Sequence, residues 1–147
     1  MSQRGFSLIE LMVVVAIVGL LAVVSVIYLI RIRAQSNEAL AITGLRTLSS
    51  AMEAYQATQN PPAYPPAITD LTSASPFYLD STWNNAQRQG YVYAYSVDSI
   101  NGTFSTTAVP LVLYVTGINS YCVDHTGIIR RGPGGGAEGC NVANSPL

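Results

Sequence analysis

Twenty consecutive residues without a formal charge, residues 11–30, constrain this chain more than any other feature of its sequence. Only Gly19 and Ser25 interrupt the apolar side chains of the run. A helix of that length spans about 30 Å, the thickness of a bilayer core. A secretory signal has a shorter apolar region of about 7 to 15 residues and ends in a small-residue cleavage site, whereas this run ends in Arg31 and Arg33. We therefore predict a membrane anchor that stays attached to the chain.

The composition also favours a membrane or a large assembly. Of the 147 residues, 49% are hydrophobic and 10% are charged, whereas soluble domains carry about 25% charged residues. The length suits one globular domain and an additional segment. Arginine supplies all seven basic side chains, and the formal net charge is -1. Because no basic block is present to neutralise a phosphate backbone, nucleic acid is not an expected partner.

A second apolar pattern extends the predicted helix beyond the membrane. Its apolar residues recur at helical spacings of four, three, four and three. They are Ala41, Leu45, Leu48, Met52 and Tyr55. No proline occurs before Pro61, so one helix over about residues 6–59 is predicted. Gly19 and Gly44 are its expected weak points, each costing about 1 kcal/mol relative to alanine.

The rest of the chain predicts a small antiparallel sheet. Residues 60–90 are rich in proline and predict a loop with one helical turn near residues 68–72. Tyrosines alternate with small residues over 91–97, which is typical of a half-buried strand, and the pair Asn101-Gly102 predicts a hairpin turn. Its partner strand is expected to reach about residue 109.

Two more short strands, at residues 120–124 and 127–130, complete the predicted sheet over 91–131. A glycine-rich loop over 132–147 is expected to end the chain. The fold class is therefore α+β. A long N-terminal helix, membrane-spanning over residues 6–33 and amphipathic over 34–59, packs its apolar stripe on the sheet of a globular head, residues 34–147.

The two cysteines, Cys122 and Cys140, predict a disulfide if the sheet lies outside the cytoplasm. Such a bond would enclose the glycine-rich loop and stabilise the fold by about 3 kcal/mol. Two free thiols are the alternative if the sheet is cytoplasmic. No CxxC or CxxCH motif occurs, so zinc and c-type haem are not expected.

No catalytic, metal or cofactor site is predicted. His125 is the sole histidine and follows Asp124, a pair that would suit an acid and a base in a membrane-anchored enzyme. A lone histidine in a turn is more often solvated, and we predict no enzymatic activity. Asp98, Asp124 and Glu138 offer oxygen ligands for calcium, but their spacing fits no EF-hand.

Glu10 is the residue whose position most needs an explanation. A carboxylate inside a bilayer costs about 2.5 to 3.5 kcal/mol on insertion scales, so an acid at the start of an apolar run is a functional hypothesis by default. The alternative is that Glu10 lies at the level of the lipid headgroups. Arg4 is the one cationic side chain on that side of the run.

The stretch Gly5-Phe6-Ser7-Leu8-Ile9-Glu10-Leu11-Met12, followed by the apolar run, resembles the N-terminal segment of type IV pilins and of the pseudopilins of type II secretion. The resemblance implies a leader peptide over residues 1–5, cut between Gly5 and Phe6 by a prepilin peptidase. It also implies N-methylation of Phe6. Glu10 matches the glutamate that the family uses in filament assembly.

The resemblance implies a subunit of a helical homo-oligomeric filament, assembled with an inner-membrane platform and a motor ATPase. The precursor would be a single-pass inner-membrane protein with its head outside the cytoplasm, and the filament would be extracellular or periplasmic. A secretion pseudopilin, and a minor pilin with a binding loop for adhesion or DNA uptake, are alternatives.

Two features differ from the family pattern. The membrane half of the helix lacks the proline that many members carry, so a bend there is not expected from the sequence. Arg4 stands on one side of the membrane run, against Arg31 and Arg33 on the other. Counting these charges alone would place the sheet in the cytoplasm. The cleavage motif favours the opposite orientation, and we expect the family topology.

Overall fold

A computed structural model of the chain describes residues 7–133, Cys140 and residues 145–147. Its dominant element is helix α1, Leu8–Thr58, which is 51 residues long. At the standard rise it measures about 77 Å. The backbone becomes extended at Gln59, and the prolines that follow cannot continue a helix. The single long helix predicted from the sequence is confirmed.

The two halves of α1 differ in what covers them. The described side chains of residues 8–33 are exposed on every face of the helix. Coverage begins at Ala34, which is 1% exposed, and continues along the predicted stripe, where Leu45, Leu48 and Met52 are fully buried. The amphipathic half therefore forms one wall of the head's core, while the described side chains of the apolar half stay exposed.

The sheet that covers this stripe has six antiparallel strands in chain order. They are β1 (Gln87–Arg88), β2 (Tyr91–Asp98), β3 (Thr103–Pro110), β4 (Asn119–Asp124), β5 (Ile129–Pro133) and β6 (Ser145–Pro146). The long hairpin β2–β3 is the one predicted from the alternating tyrosines. Its turn places Gly102 at φ 64°, a backbone conformation that glycine adopts without strain.

The connecting segments contain more structure than their sequence indicates. Helix α2 (Ile68–Ser73) confirms the predicted helical turn, and a 3-10 turn follows at Ser81–Asn84. Strand β1 falls in the expected loop over residues 60–90, and strand β6 falls in the expected glycine-rich end. Both strands have two residues, too few to show the alternation that marks a strand.

Aromatic rings fill the space between α1 and the sheet. Trp83 and Tyr93 meet edge to face, with ring centroids 5.5 Å apart, beside Gly44 of α1. A Cβ at residue 44 would lie 2.5 Å from Tyr93 Oη. Gly44 is a weak point by propensity alone. Its missing side chain is nevertheless what allows the tyrosine to reach the helix.

Replacing the buried Thr106 by valine is expected to stabilise the head. Thr106 lies on β3 at 0% exposure, and its Oγ1 has no hydrogen-bond partner among the described residues. Because a buried hydroxyl without a partner is costly, Thr106→Val should raise the free energy of unfolding by about 1 kcal/mol. The measurement is denaturant unfolding of the full chain in detergent micelles, followed by Trp83 fluorescence.

Thr106→Ser is the matched control. It keeps the hydroxyl and removes a buried methyl group, so it should lower the free energy of unfolding by about 1 kcal/mol. A valine variant that is less stable than the parent would contradict the prediction, since it would mean that the hydroxyl binds a partner.

Candidate assembly site

Glu10 lies in the first turn of α1, on the uncovered apolar half of the helix. Its side chain is exposed, as are those of Leu8, Ile9, Leu11 and Met12 around it. Within the described residues it takes part in no hydrogen bond and no ion pair. Glu10 thus places a carboxylate on an apolar surface. Within the described part of the chain, this carboxylate has no partner.

The start of α1 partly offsets the cost of this charge. The first N–H groups of a helix carry a partial positive charge, and Glu10 lies within that turn. An acid near a helix N-terminus gains about 0.3 to 1 kcal/mol from this dipole. That gain is smaller than the cost of placing a carboxylate in a bilayer, about 2.5 to 3.5 kcal/mol. A cationic partner would therefore still be favourable.

The apolar half of α1 is long enough to cross a membrane. By length and composition, α1 is the one helix among the described residues with this property, and its most apolar window has a mean hydropathy of 3.1. None of that window is buried within the chain. An uncovered surface of this size and character favours lipid or other apolar helices as its surroundings.

The predicted cleavage site precedes the described part of the chain. Gly5 and Phe6 lie outside the described residues, so processing and methylation stay predictions from the sequence. Helix α1 begins at Leu8, with Ser7 as its N-cap. The predicted new N-terminus at Phe6 is therefore four residues from Glu10 along the chain.

Cys122 and Cys140 form a disulfide, with their Cα atoms 5.5 Å apart. Cys122 lies on β4, where it pairs with Thr107 of β3 and Arg130 of β5. The bond ties Cys140 to the middle of the sheet, and the predicted pairing is confirmed. Residues 134–139 of the enclosed loop lie outside the described residues.

The Asp124 side chain bonds to residues near the end of its own strand, and no hydrogen bond joins it to His125 among the described residues. Its carboxylate accepts hydrogen bonds from Thr126 and from Arg130, whose Nη1 lies 2.6 Å from Asp124 Oδ2. Burial works against the charge, but these hydrogen bonds outweigh it and keep the Asp124 pKa below its usual value. His125 is exposed. The two residues therefore do not form an acid–base pair in the described structure.

The acidic residues of the predicted calcium alternative are not gathered into a site. Asp98 accepts hydrogen bonds from the turn residues Ile100 and Asn101 of the β2–β3 hairpin. Glu138 lies outside the described residues. In the described part of the chain, no group of three or more His, Cys, Asp or Glu side chains is placed to hold a metal ion.

Glu38 connects α1 to the distant segment before β4, which the sequence does not indicate. Its carboxylate accepts hydrogen bonds from the backbone N–H groups of Ile118 and Asn119, at 2.7 and 3.0 Å, and from the Tyr121 hydroxyl at 3.1 Å. Burial and the Glu38 carboxylate raise the pKa of Tyr121 to about 12. The hydroxyl therefore stays protonated at neutral pH and donates to Glu38.

An uncovered apolar half-helix that continues into the core of a small sheet domain defines a class of protein. Such chains are α+β proteins with an apolar half-helix long enough to cross a membrane, and in this one that half-helix carries Glu10 in its first turn. Residues 1–26 match the family described as the prokaryotic N-terminal methylation motif. The chain is also 43% identical over 53 residues to the type IV major pilin protein PilA of Myxococcus xanthus. Both matches support the type IV pilin and pseudopilin family.

The likeness to the curated relative covers a limited part of both proteins. It spans 36% of this chain and about a quarter (24%) of the length of the Myxococcus pilin. No solved structure matches the chain significantly. The family model covers the N-terminal 26 residues of the chain.

Proposed function

We propose that this chain is a pilin-like structural subunit that polymerises through the apolar half of α1 into a filament. One observation carries the proposal: an exposed apolar half-helix bearing an unpartnered Glu10 continues without a break into the core of the head. A bundle of such helices would bury the apolar surface of each subunit. The heads would then form the outside of the filament.

Processing would supply the partner that Glu10 lacks. Cleavage after Gly5 by a prepilin peptidase would leave a cationic amine on Phe6, and methylation of that amine would keep its charge. In a staggered bundle, Glu10 of one subunit would meet this amine on a neighbour. Each charge alone is costly in a low-dielectric core, whereas the pair is much less so, and pairing would therefore select one axial register.

The proposed topology places the head outside the cytoplasm. The disulfide between Cys122 and Cys140 supports this orientation, because such bonds persist in oxidising compartments. The precursor would be held in the inner membrane by α1 until an assembly platform and a motor ATPase move it into the filament. Its product would be an extracellular or periplasmic fibre, and no enzymatic activity is part of this role.

Among filament types we favour a type IV pilus shaft over a secretion pseudopilus. The curated relative is named as a major pilin, and Glu10, the proposed assembly contact, is present. A shaft subunit has to make this contact with neighbours at every step along the filament.

The test is to shear filaments from cells that express the chain and to identify their bulk protein. We expect electron microscopy to show fibres whose main component is this chain, with a mass that begins at a methylated Phe6. A matched strain that lacks the chain should have no such fibres. Filaments that form without the chain, or that contain it only in trace amounts, would overturn the shaft role.

A further inference from the structure

The loop between β3 and β4, residues 111–118, exposes an apolar patch on the head. Five of its six apolar side chains are between 45% and 71% exposed, and Leu113 is half-buried. The five are Leu111, Val112, Tyr114, Val115 and Ile118. The loop lies within residues 99–123, which carry no formal charge. A contiguous, uncharged and exposed apolar loop is a candidate interaction surface.

Contacts with α1 place this loop at the end of the head that faces the membrane half of the helix. Asn37 Nδ2 donates to the Thr116 carbonyl oxygen at 3.0 Å, and Ile118 N–H donates to Glu38 Oε1 at 2.7 Å. Asn37 is four residues beyond Arg33, which is about 6 Å along a helix axis. The loop therefore lies close to where the uncovered half of α1 ends.

Six of the eight backbone N–H groups of the loop donate to acceptors within the protein. Tyr114 N–H donates to Gly117 O at 2.8 Å, and the N–H groups of Val115 and Thr116 both donate to Val112 O. Val112 N–H in turn donates to Thr116 Oγ1 at 3.0 Å. Backbone donors that are already bonded make entry into a less polar medium cheaper.

The loop is also held in one shape. Tyr114 has φ 64°, an uncommon conformation for a tyrosine, and its ring is the most exposed of the patch at 71%. The hydrogen bonds from Ile118 and Asn119 to Glu38 fix the end of the loop to α1. A preset loop loses little conformational freedom when its side chains enter a new environment.

From these observations we propose that residues 111–118 dip into the lipid headgroup and upper acyl region beside α1 while the subunit is in the membrane. This inference rests on the proposed function in one respect, that α1 spans the bilayer. Tyrosine suits this depth because its ring is apolar and its hydroxyl is polar. The exposed Arg31 and Arg33 lie about 6 to 9 Å before Asn37 along the helix axis, and their long side chains would extend from there to lipid phosphates.

Lipid is the favoured occupant because the loop is hydrogen-bonded to α1 close to the end of the proposed membrane-spanning half. Glu38 and Asn37 hold the loop next to the end of the anchor whether or not a second subunit is present. A second copy would instead have to reach a patch that lies at the membrane surface. The seated loop would fix the tilt of the head above the bilayer before assembly.

The test introduces tryptophan into the loop of the full chain in phosphatidylcholine vesicles. Tyr114→Trp and Val115→Trp report on the loop, and the second variant guards against a folding defect at the positive φ of residue 114. Leu20→Trp reports insertion of α1. Ile100→Trp is the matched control, since Ile100 is 96% exposed in the turn at the other end of the β2–β3 hairpin. Native Trp83 contributes equally to all four variants.

Lipids brominated near the headgroup end of the acyl chain are the quencher. We expect them to remove most of the added emission from the loop variants and to leave Ile100→Trp unchanged. Leu20 lies at the middle of the apolar run, so Leu20→Trp should be quenched by a second set of lipids, brominated near the methyl end of the acyl chain. Quenching of Leu20→Trp without quenching of either loop variant would overturn the inference while leaving the anchor intact. No quenching of any variant would overturn both.

A second copy on the patch would give a different result. The loop tryptophans would then become protected from acrylamide only when the protein-to-lipid ratio is raised, and brominated lipid would not quench them. That outcome would overturn the lipid assignment and identify a contact between subunits.

Discussion

Glu10→Ala is expected to abolish filaments while the variant chain still inserts into the membrane and is still processed. The substitution removes the carboxylate that would neutralise the Phe6 amine of a neighbouring subunit. Leaving one charge of a buried pair without its partner costs about 3 to 5 kcal/mol, and each 1.4 kcal/mol is a factor of ten in an equilibrium constant. Since the contact would recur at every subunit, the loss is expected to prevent polymerisation. Electron microscopy of sheared surface material provides the measurement.

Glu53→Ala is the matched control for this experiment. Glu53 is an exposed carboxylate on the same helix, within the half that belongs to the head, so its removal changes the net charge equally. This variant should assemble normally. Glu10→Gln separates charge from hydrogen bonding, and it should fail as the alanine variant does. Normal filaments from Glu10→Ala would contradict the proposed pairing of Glu10 with the Phe6 amine.

Gly5→Val is expected to leave an uncut precursor in the membrane. The proposed peptidase must bring the chain close to the bond between Gly5 and Phe6, and a β-branched side chain at residue 5 stands in the way of that approach. Mass spectrometry of the membrane fraction should find the chain heavier by residues 1–5 than the processed form. Without a free amine at Phe6 this variant should also lack filaments.

Ser2→Val controls for a change elsewhere in the leader and should be processed normally. The two main variants are distinguishable by their masses, because Glu10→Ala lacks filaments but carries the mature N-terminus. A mature Phe6 terminus in Gly5→Val would refute the cleavage assignment. Filaments made of uncut Gly5→Val would show instead that assembly needs no free amine.

The parts of the fold that the sequence predicted are those governed by local periodicity. The stripe that includes Leu45, Leu48 and Met52 repeats at helical spacing, and the tyrosines from Tyr91 to Tyr95 alternate as strand residues do. Such patterns are visible within a dozen residues. The disulfide was predictable because the chain has two cysteines and a cleavage motif whose family topology places the sheet in an oxidising compartment.

The parts that the sequence did not predict depend on distant residues. Glu38 is one of several polar residues on α1, and nothing near it indicates that it binds the backbone some 80 residues later, at Ile118 and Asn119. Gly44 is unfavourable by helix propensity, and only the approach of Tyr93 explains it. For the loop over residues 111–118, the charge-free run was a visible signal, but its place beside α1 was not.

At the candidate site, too, part of the evidence is local in the sequence and part needs the structure. Glu10 was found from the cost of a charge in an apolar run, which is a property of neighbouring residues. Its location in the first turn of α1, where the helix dipole favours an acid, needed the observed start of the helix.

Because α1 is unbroken, it also fixes the angle around its axis between Glu10 and the head. Each helical residue turns by about 100°, so Glu10 and Glu38, which are joined by continuous helix, project about 280° apart around one axis. The rotation of the head about the axis of α1 is therefore tied to the direction in which Glu10 projects. In the proposed filament, the contact at the axis would decide which face of the sheet looks outward. A docking error of one residue would turn every exposed surface of the subunit by more than a quarter of a revolution.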